Sequence, residues 1–137
     1  MRSVLVVLVL GFSLFFTRPV WACTCRATTI DESLRQADVV FIGKVVADWG
    51  AVGVTTFQVS GYWKGQVEKK AVLFPLSRRR SFNTCEVLFR EGREYIVFAV
   101  LDKKTGELTT NICSGTREKV VAAEQIKKLG RPKVPAK

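Results

Sequence analysis

The strongest constraint on this chain is the placement of its four cysteines: Cys23 and Cys25 flank a single Thr24, while Cys85 and Cys113 stand far off and apart. A ring between Cys23 and Cys25 would close across one residue, which is poor disulfide geometry. If all four pair, the Cys-x-Cys must therefore be tied to two distant points of the chain. Both remaining pairings close loops of roughly 60 and 90 residues, each worth about 4 kcal/mol by loop-closure entropy. A four-cysteine zinc site is the competing use, but it expects two Cys-x(2–4)-Cys pairs. A thioredoxin-like redox pair expects two intervening residues, and "ACTCRA" has one.

What precedes the Cys-x-Cys sets the redox compartment. Arg2 is followed by the apolar run "SVLVVLVLGFSLFF" (3–16), with no further charge until Arg18. This is a signal-peptide pattern, and it is shorter than the roughly 17–25 residues of a spanning helix. Ala22 supplies the small residue for cleavage. The expected organisation is a leader at 1–22, one domain at 23–130 and a disordered tail at 131–137, with no transmembrane span in the mature form. Export to an extracellular or periplasmic space makes an even cysteine count read as disulfides. Lipoprotein anchoring at Cys23 is the minor alternative, disfavoured by bulky Trp21 where such signals carry a small residue.

The chain contains no histidine. That removes Ser-His-Asp and Cys-His nucleophilic systems, histidine zinc sites and histidine general bases. Glu86, Glu91 and Glu94 lie close in sequence, but a solvated face accounts for them. The expectation is a non-enzyme with no cofactor.

Along the mature chain, "TTIDESLRQA" places Thr29 three residues before Glu32, a capping-box pattern, and predicts a short helix at 30–37. Strands are predicted at 38–49, 54–63, 70–76, 95–102 and 108–113 from β-branched and aromatic runs between turn residues. Gly43 inside the first suggests a bend or bulge. A helix is predicted at 114–130, with Ser114 or Thr116 as its cap and Gly130 as its stop. Phe57, Phe74, Phe89 and Phe98 are expected in the core, and Trp49 and Trp63 in the core or at a barrel end. The fold class expected is mainly β with two flanking helices. A closed five-stranded barrel would remove exposed sheet edges, and an open sandwich is the alternative.

These pieces in order resemble the netrin-type module, in particular the N-terminal domain of the tissue inhibitors of metalloproteinases. They are "CTC" at a mature N-terminus, a short helix, "ADVVFIGKV" (37–45), "WKG" (63–65), Cys85 before "FREGREYIVFA" (89–99), and "LTTNIC" (108–113). The resemblance implies a disulfide-stapled, five-stranded oligonucleotide/oligosaccharide-binding (OB-type) barrel. It also implies the pairing Cys23–Cys85 and Cys25–Cys113. In that family the first cysteine's free amine and carbonyl chelate the catalytic zinc of a target protease. Here that ligand would be the Cys23 backbone, binding a partner's zinc only. The resemblance further implies that Thr24 enters the pocket beside the zinc, Arg26 follows along the cleft, and Thr84 and Cys85 extend the ridge. Two features depart from the family: its third disulfide in this domain has no counterpart here, and the first strand-to-strand turn is short.

Charge offers a second class of partner. The chain carries 22 Lys+Arg against 12 Asp+Glu, +10 overall; losing Arg2 and Arg18 with the leader leaves +8. The densest run is "SRRRSF" (77–82), making Arg78, Arg79 and Arg80 candidates for an anionic surface or polysaccharide. A solvated loop explains the same run. Nucleic acid is disfavoured, because single-strand binders interleave aromatics with the basic groove and only Phe82 adjoins this run. The alternative to protease inhibition is thus a non-inhibitory extracytoplasmic binding or structural module with a basic surface.

Overall fold

A computed structural model of the chain describes residues 23–50, 53–76 and 85–136. The expected leader, Thr84 and the Arg78–Arg80 run lie outside these residues. Helix α1 (Ile30–Gln36) leads into β1 (Val39–Asp48), β2 (Thr55–Lys64), β3 (Lys70–Leu73), β4 (Glu94–Leu101) and β5 (Leu108–Thr109). A short β6 (Arg117–Glu118), a 3-10 turn (Lys119–Val121) and α2 (Ala123–Leu129) follow.

The strands run β1-β2-β3-β5-β4, and β4 pairs back onto β1, so the sheet closes into a five-stranded barrel, as expected, and not an open sandwich. Every pairing is antiparallel except β3–β5, which is parallel and meets at Leu73–Leu108. The Phe74 N–H adds a bond to the Leu108 carbonyl at 2.8 Å. β1 makes closure possible by pairing on both edges. Its register against β4 is regular, but against β2 it slips at three points. Such irregularities bend and twist a strand. Gly43 sits at one of them. A Cβ there would stand 2.8 Å from the Gln58 carbonyl oxygen, so glycine permits the approach of β2.

β1 and β4 are buried on both faces. Inward, Val39, Phe41, Val45, Tyr95, Val97 and Ala99 join Phe57, Val59, Ala71 and Leu73 in the barrel core. Edge-to-face contacts at 4.9 to 5.4 Å link Phe41, Phe57, Phe89 and Tyr95 in series. The Tyr95 hydroxyl accepts from the Arg90 N–H at 3.1 Å, and burial pushes its phenol above the ordinary value. Outward, Val40, Ile96 and Phe98 form a second core with Ala37 and Ala122, against which Leu34, Trp63, Ile126 and Leu129 pack. Strands covered on both faces read as continuous apolar runs, and "YIVFAV" is one. Phe98 is therefore core on the outer face, under the helices. Phe74 is only half-buried. Trp49 corrects the expectation of packing: it lies just beyond the end of β1 and is 72% exposed.

The helices are pinned by side chains at the end of β2. Thr29 accepts the Glu32 N–H at 3.2 Å, as the capping pattern predicted. At the other end of α1, the Lys64 ammonium donates to the carbonyls of Leu34, Arg35 and Ala37, satisfying orphan acceptors with the charge the helix C-terminus favours. Trp63 Nε1 donates to the Gly130 carbonyl at 2.8 Å, beyond α2.

Two expectations fail at the C-terminal end. The helix predicted over 114–130 is only Ala123–Leu129, because the preceding residues first extend the sheet as β6. Residues 131–136, expected to be disordered, fold back instead: Lys133 exchanges both backbone bonds with Tyr62 at 2.7 and 2.9 Å. Pro132 fits over Gly61, where a Cβ would stand 2.8 Å from the proline ring.

Ser114 and Thr116 are not helix caps: the Ser114 hydroxyl donates to the Asn111 carbonyl, and the Thr116 hydroxyl serves β4. Between its pairings with β6 at Tyr95–Ile96 and with β5 at Val100–Leu101, β4 turns the N–H and C=O of Phe98 toward the loop. The Phe98 N–H donates to Thr116 Oγ1 at 2.9 Å, and Thr110 Oγ1 donates to the Phe98 carbonyl at 2.7 Å. The two threonine hydroxyls lie 2.7 Å apart, which closes the ring when Thr116 donates to Thr110. Both residues are buried. Thr116→Val should leave the Phe98 N–H unsatisfied and lower stability by about 1–3 kcal/mol, read by chemical denaturation. Adding Thr110→Val should cost less than the sum of the single losses, because both hydroxyls serve one residue.

Candidate functional site: the N-terminal strap

Residues 23–28 form a strap bolted to the barrel by Cys23–Cys85 and Cys25–Cys113, with Cα–Cα separations of 5.2 and 5.1 Å. This is the pairing the family resemblance implied. Cys23 Sγ lies 3.8 Å from Cys113 Sγ, so the two disulfides touch. All four thiols are consumed.

Each bolt is itself anchored. The Cys85 carbonyl accepts from the Ile112 N–H at 2.9 Å, joining the two loops that carry the far cysteines. The Cys113 N–H donates to Asn111 Oδ1 at 2.8 Å, and the Ser114 hydroxyl donates to the Asn111 carbonyl at 2.8 Å. Ser114 Oγ also sits 2.9 Å from Thr110 Oγ1. The loop holding Cys113 is thus fastened to the buried hydroxyl ring on β4. At the other end of the strap, Thr28 Oγ1 lies 3.3 Å from Ser33 Oγ on α1.

Between and beyond these anchors the strap faces outward. Thr24, Cys25, Arg26 and Ala27 are exposed, and Cys23 is half-buried. Two grooves border it. One, of about 350 Å³, lies toward α1 and β4 and is lined by Thr24, Arg26, Gln36 and Val100 among others. The second, of about 450 Å³, lies toward the 112–117 loop and α2, where Arg26 meets Ile112, Arg117 and Gln125. Gln125 donates to the Gly115 carbonyl at 3.0 Å, while its Oε1 is buried without a partner and would accept a donor there.

Of the three glutamates noted from sequence, two hold backbone and one forms an ion pair. Glu86 accepts from the Leu76 N–H and Glu91 from the Asp48 N–H, each at 3.0 Å, and Glu94 pairs with Lys119 at 2.8 Å. With the sulfurs oxidised, the groups the strap can present are its backbone, the Thr24 hydroxyl and the Arg26 guanidinium.

Of the site residues expected from sequence, Cys23, Thr24, Cys25, Arg26 and Cys85 come together here. Thr84 and the arginine run lie outside the described residues. Sequence reasoning missed the apolar flanks: Leu88 is 84% and Ile112 45% exposed, both close in sequence to a bolted cysteine. Leu88 also shares a small cavity with Gly50 and Gly53, so the β1–β2 turn reaches this end of the barrel. An apolar residue beside a predicted bolt was the available signal. Among the described residues, no helix is long and apolar enough to cross a membrane.

In comparisons with known proteins, no family model matches the chain and no curated protein matches it.

Removing one bolt as Cys25→Ala with Cys113→Ala should lower stability by about 2–5 kcal/mol and free the strap, so that trypsin cuts after Arg26 faster than in the parent. Unchanged denaturation and cleavage would show that the strap does not depend on this bolt.

Proposed function

We propose that this protein is a secreted inhibitor of zinc metalloproteinases, a netrin-like domain acting through Cys23 as its mature first residue. The observation that carries the reading is the strap: an outward-facing Cys23-Thr24-Cys25 held at both cysteines by the pairing that the inhibitor resemblance implied. The strand order, with its single parallel β3–β5 contact, supports an OB-type barrel beneath it.

Leader cleavage after Ala22 frees the α-amine of Cys23. That amine and the Cys23 carbonyl oxygen then occupy the open coordination positions of the protease's zinc and displace the water that would attack substrate. An α-amine has a reference pKa of about 7.7–8.0 and ligates only when neutral, so metal binding drives its deprotonation. Thr24 enters the pocket beside the zinc, Arg26 follows the cleft, and Thr84 with Cys85 forms the second arm of the ridge. The disulfides fix the strap before binding, which lowers the ordering cost. Ile112, which lines a groove with Cys25 and Arg26, adds apolar surface beside it.

The second reading, an extracytoplasmic module that binds anionic partners through Arg78, Arg79 and Arg80, is favoured by the net charge of +8 left once Arg2 and Arg18 go with the leader. One experiment separates the two. The mature protein and a version extended by one N-terminal alanine are compared on a panel of zinc endopeptidases and on a sulfated polysaccharide. Chelation predicts that the extension weakens inhibition at least ~100-fold, about 2.7 kcal/mol, with the melting temperature unchanged. Equal inhibition by both would overturn the chelation mechanism. No inhibition by either, with salt-sensitive polysaccharide binding, would establish the second reading.

A further inference from the structure

We propose that Cys25 is a modification site for an acidic peptide thiol of the glutathione class, and that the exchange is relayed through Cys113 to Cys23, releasing Cys85. The inference concerns the exchange chemistry of the two disulfides and is independent of the inhibitor reading.

The two disulfides are unequally open to attack. Cys25 is exposed, whereas Cys23, Cys85 and Cys113 are each half-buried. Exchange begins when a thiolate reaches one sulfur of a disulfide, and exposed disulfides are the labile ones. The groove of about 450 Å³ beside Cys25 and Cys113 carries Arg26 and Arg117, with Glu124 on the same lining. Two guanidiniums and one carboxylate complement the two carboxylates and one ammonium of a glutathione-class thiol. Gln125 Oε1, buried without a partner on that lining, offers an acceptor to an amide N–H of such a peptide. Positive charge beside the sulfurs also favours the departing thiolate.

The second step is set by the contact between the disulfides. Cys113 Sγ lies 3.8 Å from Cys23 Sγ, so a thiolate freed at Cys113 already touches the next disulfide. Its place does not depend on the bond to Cys25. The Cys113 N–H is held by Asn111 Oδ1, and the Ser114 hydroxyl ties the same loop to Thr110. The sulfurs of Cys23, Cys25 and Cys113 lie within 4.8 Å of one another, and Cys85 falls outside that group. Cys85 is therefore placed as the leaving group, and its thiol is not poised to expel the adduct from Cys25.

The steps balance without any external oxidant or reductant. The entering thiol loses its proton, its sulfur bonds to Cys25, and the Cys25–Cys113 bond breaks to leave a Cys113 thiolate. That thiolate bonds to Cys23, the Cys23–Cys85 bond breaks, and Cys85 leaves as a thiolate that takes up the proton. Two disulfides and one thiol enter, and two disulfides and one thiol remain. Cys23 stays bolted to the barrel, now through the Cys113 loop, while Cys25 carries the adduct.

The test treats the folded, oxidised mature chain with reduced glutathione, quenches with acid and N-ethylmaleimide, and maps the products by fragmentation mass spectrometry without reduction. The first modified species should carry glutathione on Cys25, maleimide on Cys85 and a Cys23–Cys113 disulfide. Removing the second disulfide as Cys23→Ala with Cys85→Ala should move the maleimide to Cys113. Glutathione should react faster than its diethyl ester, whose carboxylates are blocked, by about threefold or more at low salt, and Arg117→Gln should narrow that gap. Glutathione first on another cysteine, maleimide on Cys113 in the parent, or no adduct on the folded chain would each overturn the proposal. Equal rates for glutathione and its ester would overturn the assignment of an acidic thiol to the groove.

Discussion

The backbone of Phe98 is where the barrel and the strap meet. An outer strand edge normally satisfies its N–H and C=O through a neighbouring strand, and a buried group left without a partner is costly. At Phe98 the neighbour is a pair of threonine hydroxyls instead. This lets the chain leave β5 at Thr109, make the loop that carries Cys113, and rejoin β4 as β6 without orphaning the residue between. The Cys113 loop is therefore set by a buried polar ring, and the position of Cys25, and of the strap, follows from it.

The two cores follow a related logic. β1 must serve both of its edges for the barrel to close, and both of its faces must be covered because the helices lie on the outside. Two seven-residue helices are too short to be stable by themselves. They hold because Val40, Ile96 and Phe98 offer them an apolar bed, and because Trp63 and Lys64 reach back to carbonyls at their ends. The stretch "WKG" thus ends β2 and fastens both helices.

The parts of this architecture that depend on near neighbours could be read from residues. β1, β2 and β4 begin and end within a residue or so of the runs that predicted them, because β-branched alternation and turn residues are local signals. The Thr29 cap and the Gly43 irregularity were legible for the same reason. The 114–130 helix was not. Val121 looked like part of an apolar helical stripe, yet it is 67% exposed. Thr116 looked like a cap, but the partner that claims it is Phe98, on another strand. The tail read as disordered from its prolines and lysines, while its docking site is a bare glycine 71 residues before Pro132. The constraint on the Cys-x-Cys was legible from spacing; the choice between its two possible pairings was not, and it entered through resemblance.

The returning C-terminal segment also bears on how the molecule meets others. β3 covers only the first half of β2, from Thr55 to Gln58. The stretch beyond would otherwise present open hydrogen-bonding groups, a ready template for a strand from another chain. Lys133 occupies that edge at Tyr62. The prolines around it, Pro132 and Pro135, lack the N–H needed to pass the pairing on. The last residues thus act as a selvedge: they finish an edge that the barrel leaves raw, with a sequence ill-suited to continuing the sheet.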